Sequence, residues 1–171
     1  LAVTSILRNG CELLAARAAA AVLAPETGAH PTCIGNDFPD ERLGALSSAA
    51  HNLLTWSKAN PLPSCLGAGS VGDLHGADVE GWLDGEDCLL IPIARRDTFL
   101  GILLYFFPAG APDCPRAAAW GPAISSVAAL VLENARLFEA ALLQAVELGS
   151  FYEMVQATAE DRDAQPLLAA A

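Results

Sequence analysis

The residues able to do chemistry are few and scattered. Cysteines stand at Cys11, Cys33, Cys65, Cys88 and Cys114, and histidines at His30, His51 and His75. A structural zinc site needs Cys or His ligands in close pairs, and no CxxC or tight Cys/His set occurs. Thiol redox chemistry needs a reactive thiolate beside a resolving partner. Cys65 and Cys88 are the two thiols placed to approach one pocket, although buried, inert thiols are the plainer reading. Asp84, Glu86 and Asp87 read as a solvated turn rather than an acid–base pair. No nucleophile elbow or phosphate loop is present. The expectation is a chain that is not an enzyme, holds no metal site and has no assignable cofactor. The odd, widely spaced cysteines also argue against a disulfide framework and for a reducing, cytoplasmic setting.

Trp56 and Trp82 are the side chains best suited to line a pocket for a flat or apolar ligand. Core packing is the competing fate for both. Trp82 stands between Gly81 and the turn at Asp84 and Gly85, inside a Gly- and Asp-rich stretch over residues 64–86. That stretch also carries Cys65 and His75, and an irregular segment of this length usually serves as a binding loop or lid.

Composition narrows the partners. The chain has 171 residues, 53% of them hydrophobic, and a formal charge of −11. One domain with extensions is the expected size. The acidic balance disfavours nucleic acid and anionic membranes, which both need a basic face. The most apolar region, 89–107, is cut by Arg95, Arg96 and Asp97, so no span is expected. No signal-peptide pattern opens the chain, and its start at Leu1 suggests a piece of a longer protein.

The elements that must position these residues follow from periodicity and punctuation. Residues 1–16 read as a helix, with Ile6, Leu7, Leu13 and Leu14 on one face. Residues 17–24 and 30–35 read as a hairpin around Pro25 and Gly28. Residues 40–58 carry Leu43, Leu46, Ala50, Leu53 and Leu54 at helical spacing, with Asp40 or a neighbour as cap and Pro61 as stop. Residues 88–94 and 99–107 are apolar runs joined by a polar loop, an antiparallel pair. Pro92 marks an edge position or a bulge. A helix begins near Arg116, pauses at Gly121 and Pro122, and runs to about Leu148.

Along that helix Trp120, Ile124, Val127, Val131, Asn134, Phe138, Ala141, Ala145 and Leu148 fall at alternating four- and three-residue steps. This is the spacing of a coiled-coil seam, in which a lone Asn can fix the register of two strands. A solvent-facing Asn134 on an ordinary amphipathic helix is the alternative.

Three segments together resemble a GAF domain over about residues 1–144. They are the entry helix and small apolar run at 11–23 (CELLAARAAAAVL), the paired runs at 89–93 (LLIPI) and 100–103 (LGIL), and the exit helix at 129–138 (ALVLENARLF). The resemblance implies an α+β fold. Its centre is an antiparallel sheet of five or six strands, with helices on one face, a ligand pocket on the other and a long C-terminal signalling helix. It also implies a cytoplasmic signalling role, as in two-component systems, often as a parallel dimer through the terminal helices.

Known GAF ligand chemistries fit poorly. Bilin attachment favours a cysteine beside a histidine, and no such pair occurs. Haem needs an axial ligand, with only His30, His51 and His75 on offer. A cyclic nucleotide needs phosphate donors, and no basic residue lies between Lys58 and Arg95. The cysteine-based reduction of methionine sulfoxide known in the family would call on Cys65 and Cys88.

The expected organisation is a sensory domain over residues 1–148, then a connector and the start of a further domain over 149–171. Residues 151–168 read as a helix, a charged break and a new apolar start. The expected function is a non-catalytic module that binds a small ligand or partner and passes its state through terminal helices. Trp56, Cys65, His75, Trp82 and Cys88 are its candidate ligand residues. Ile124, Val127, Val131, Asn134, Phe138, Ala141 and Leu148 are its candidate homodimer seam. A ligand-free dimerisation scaffold is the first alternative, and the thiol reductase is the second.

Overall fold

The computed structural model describes all residues except 1, 26–28, 68–78, 97, 111–112 and 169–171. In chain order it has α1 (Ala2–Leu14), β1 (Ala18–Leu23), β2 (Thr32–Asn36), α2 (Asp40–Ala59), β3 (Ser64–Leu66), α3 (Val79–Leu83), β4 (Asp87–Arg95), β5 (Thr98–Phe107), α4 (Asp113–Ala118) and α5 (Gly121–Leu168). By contacts the chain divides after Leu132. The first unit holds the sheet, four helices and the start of α5. The second begins at Glu133 and is helical to Leu168.

The five strands form one antiparallel sheet in the order β2-β1-β5-β4-β3. This α+β sheet with its long last helix is the fold the residues imply. The expected hairpins are β1–β2 and β4–β5. β3 and α3 lie within the stretch that periodicity left irregular, because a three-residue strand and a five-residue helix are too short to show a period.

Strand alternation sends neighbouring residues to opposite faces. Ala18, Ala20, Val22, Cys88, Leu90, Ile102, Leu104 and Phe106 join one core with Leu46, Ala50 and Leu53 of α2 and Trp82 of α3. Ala19, Ala21, Leu89, Ile91, Ile93, Leu103, Tyr105 and Phe107 join the other with Leu7 and Leu14 of α1, Cys114 of α4 and Ala128, Ala129 and Leu132 of α5. Helices therefore cover both faces. α1, α4 and α5 occupy the face expected for helices. The opposite face, where the resemblance implies a pocket, carries α2 and α3.

Two glycines set the spacing. Gly10 lets α1 approach β5, since a Cβ there would meet the Tyr105 ring and hydroxyl. The Tyr105 hydroxyl in turn donates to the Ile6 carbonyl at 3.5 Å. Gly101 (φ +150°) sits at an irregularity where Ile93 pairs with Gly101 but Ala94 pairs with Phe99. The extra residue, Leu100, turns to the opposite face from Ile102. This is what a bulge does.

Two local expectations are corrected. No side chain caps α2: its N-cap is Pro39, and Asp40 and Glu41 serve the helix dipole from the first turn instead. α5 continues through Glu160, Asp161, Arg162 and Asp163, where a charged break is expected. Alanine, glutamate, glutamine and leucine around those charges are good helix formers.

Gly10→Val tests how α1 docks. The added side chain must displace Tyr105, and urea unfolding should show a loss of about 1–3 kcal/mol. An unchanged midpoint contradicts the close approach.

Candidate functional site

Trp56, Trp82 and Cys88 belong to one side of the sheet, the α2–α3 side. Trp82 is fully buried, edge-on to Phe106 with ring centroids 6.2 Å apart. Its indole N–H finds no acceptor among the described residues. Cys88 is fully buried beneath the same cluster, and burial pushes its thiol far above the ordinary range. Trp56 is half-buried against the cluster. His75 lies outside the described residues. His51 is exposed on α2, and so is His30.

Cys65 does not join this group. In β3 it alternates with Leu66 and therefore faces the other side of the sheet. There it forms a disulfide with Cys114 of α4, 49 residues away, with Cα atoms 6.1 Å apart. This runs against the argument from odd, scattered cysteines that disfavours disulfides, since scattered positions in sequence say little about positions in space. Of the two thiols expected to meet in one pocket, Cys88 and Cys65 thus fall on opposite faces.

The residue that organises the α2–α3 side is one that spacing does not flag, Arg42. It lies in the first turn of α2, on the face toward α3. Its Nε donates to the Trp82 carbonyl at 3.0 Å, and its Nη2 donates to the Trp82 and Leu83 carbonyls at 2.8 and 3.3 Å. Its Nη1 pairs with Glu86 at 2.9 Å. The guanidinium plane also lies 4.7 Å from the Phe38 ring centroid and 5.0 Å from that of Phe106. Arginine suits this position, since it stacks on aromatic rings while its edge donates hydrogen bonds. Its donors serve the C-terminal carbonyls of α3, which have no helical partner. The available sequence signal was weak: one basic residue in an otherwise neutral helical face.

The free thiols are poorly suited to nucleophilic chemistry. Burial, with Asp37 and Glu12 nearby, raises Cys11 to about 11. Burial also raises Cys33, against a hydrogen bond from Ser47 that lowers it. A raised pKa keeps the thiol protonated at neutral pH, so little thiolate is available. No group of three or more His, Cys, Asp or Glu side chains among the described residues is placed to hold a metal ion.

On the opposite side of the sheet an apolar groove of about 440 Å³ runs between α1 and the first turns of α5. Ile6, Leu13, Trp120, Ile124, Val127 and Val131 line it. Val127 is 60% exposed and Trp120 55%. Of the remaining seam residues, Asn134, Phe138, Ala141 and Leu148 belong to the second unit and are exposed on its helix. Leu137, Leu142 and Leu143 are exposed there as well.

No protein-family model and no curated protein matches the chain. Among solved structures, the chain is similar to the crystal structure of the GAF domain/HD domain protein from Geobacter sulfurreducens. The likeness has a TM-score of 0.61 at 20% identity and covers 80% of this chain and 93% of that one. The chain thus has a GAF-like fold.

Two outcomes are expected. Arg42→Met takes the close ion-pair partner from Glu86 and the side-chain donors from the Trp82 carbonyl, and thermal or urea unfolding should show a loss of about 2–4 kcal/mol. A loss below about 0.5 kcal/mol, the size of an ordinary surface substitution, contradicts the role given to Arg42. Iodoacetamide at pH 8 should leave Cys88 of the folded chain unlabelled and should label the half-buried Cys65 only after reduction. Reduction should also cost up to about 4 kcal/mol for a loop of this length. Prompt labelling of Cys88 contradicts its burial.

Proposed function

We propose that this chain is a non-catalytic regulatory module that pairs with a second copy through α1 and α5 and passes its state along α5. The observation that carries this reading is the apolar surface left open on those two helices. The groove between them is lined by large apolar side chains, and the seam predicted from spacing continues along α5. Monomeric proteins rarely leave a contiguous apolar face of this kind uncovered. The GAF-like fold agrees with a sensory or regulatory role, though a fold is a weak warrant for function.

A signal in such a module is a change in the balance between two states. A ligand shifts that balance only by its differential affinity for them. Both cores share the sheet, so a change on the α2–α3 side has a direct route to the α1 and α5 side.

The ligand-free scaffold is a second reading with its own support. Trp82, Phe38, Phe106 and Arg42 fill the middle of the α2–α3 side with their own side chains. The thiol reductase meets one of its two requirements, since Cys65 and Cys114 are close, but Cys114 is only 2% exposed. A cytoplasmic setting has that disulfide against it, because cytosolic thiols are generally kept reduced.

Sedimentation equilibrium tests the pairing. The chain is expected to be a reversible dimer, and Val127→Glu with Phe138→Glu should weaken it by at least about tenfold without changing the far-UV spectrum. A chain that stays monomeric at all accessible concentrations, or a double variant that pairs as well as the wild type, contradicts the reading.

A further inference from the structure

A second cleft lies at the far end of the β4–β5 hairpin, bounded by the end of α2, residues 61–63 and the start of α5. It has a volume of about 420 Å³, within the range of small-molecule sites. It opens beside the half of β4 that β3 does not reach, since β3 pairs only with residues 88–90. Pro92 suits that unpaired stretch because it has no N–H to leave exposed. Its carbonyl accepts the Ser125 hydroxyl at 2.6 Å. The edge is therefore partly satisfied, and side chains supply much of the remaining chemistry.

Three polar features converge on an otherwise apolar wall. Among the described residues lining the cleft, Lys58 and Arg96 carry charge and none is a carboxylate. That is two of the nine basic residues in a chain of formal charge −11, so the local sign opposes the global one. Ser57 also lines the cleft, and its hydroxyl is completely buried with no hydrogen-bond partner among the described residues. A buried hydroxyl with its bond unmade carries a cost that a ligand oxygen can offset. Arg96 is held at φ +52°, a left-handed conformation uncommon outside glycine. That conformation is what a two-residue hairpin turn calls for, and it places Arg96 at the tip of the β4–β5 hairpin.

The apolar wall comes from Pro61, Pro63, Phe99 and Pro122. Lys58 lies 5.5 Å from the Phe99 ring centroid, which sets its ammonium beside that wall. α5 also begins here, so the positive end of its dipole adds to the same potential.

We propose that this cleft binds a small organic oxyanion, a carboxylate or phosphate monoester on a compact apolar body. Lys58 and Arg96 hold the charged end, the Ser57 hydroxyl donates to one of its oxygens, and the proline and Phe99 wall covers the body. The site is separate from the α1–α5 groove. Its occupancy can be measured whether or not the chain pairs or signals.

Calorimetric titration of the full chain with phenyl phosphate, benzoate, inorganic phosphate and benzyl alcohol tests the proposal. Phenyl phosphate or benzoate should bind saturably, and which of the two binds better identifies the oxyanion. Salt should weaken the binding. Lys58→Gln with Arg96→Gln should weaken it by at least about tenfold, the scale of lost charge-assisted hydrogen bonds. Ser57→Ala should weaken it severalfold, and both variants should keep the wild-type melting curve. No saturation by either organic anion, or binding that the double variant leaves intact, overturns the proposal. Equal affinity for benzyl alcohol removes its charged half, and equal affinity for inorganic phosphate removes its apolar half. Should the double variant misfold, Arg96→Gln alone, at the exposed hairpin tip, carries the same test.

Discussion

Everything in the first unit depends on a sheet buried on both faces. Each strand of its centre must supply apolar residues at consecutive positions, and β1, β4 and β5 do so almost without exception. The alternation that normally separates a wet face from a dry one here separates two dry faces. β1 meets the demand with alanines. Small side chains there let α1 and α2 approach closely from opposite sides, and Gly10 carries the same logic into α1. The long side chains come from β4 and β5. A substitution on these strands is therefore felt by helices on one side or the other according to its parity.

The two faces are finished differently. On the α2–α3 side Arg42 ties a short helix to a long one by hydrogen bonds, an ion pair and aromatic stacking, so polar chemistry closes an otherwise apolar layer. On the opposite side α1, α4 and α5 close the layer mainly by packing, with single hydrogen bonds from Tyr105 to α1 and from Ser125 to β4 and with Cys65–Cys114 as a covalent clip to the edge strand. The first arrangement leaves little apolar surface open in its middle. The second leaves Leu13, Trp120 and Val127 exposed. The asymmetry is why the pairing proposed above falls on α1 and α5 rather than on α2.

Much of the architecture was legible in the sequence because it rests on long periodic runs. The two hairpins, α2 and the exit helix each had several apolar positions at one spacing, and Pro92 announced the unpaired half of β4. What failed to show depends on tertiary position. β3 and α3 are too short for periodicity. The partner of Cys65 is 49 residues away and carries no local mark. Arg42 carries no local mark of its role, because its partners at Trp82, Leu83 and Glu86 lie about forty residues away. Of the candidate ligand residues, Trp56, Trp82 and Cys88 share a side because strand parity and helix facing put them there. Cys65 falls on the other face because it alternates with Leu66 in β3, a strand too short to show in the sequence. The oxyanion cleft was invisible because Ser57, Lys58, Arg96 and Ser125 come from three separate elements.

A second copy that covers the apolar face of α1 and α5, as proposed above, would shield those helices from solvent. Hydrogen exchange of the intact chain at low and high protein concentration tests that pairing most directly. Protection of backbone amides in α1 and α5 should rise with concentration, while that of β1, β4 and β5 stays constant. Exchange in α1 and α5 that is independent of concentration across the range would contradict it.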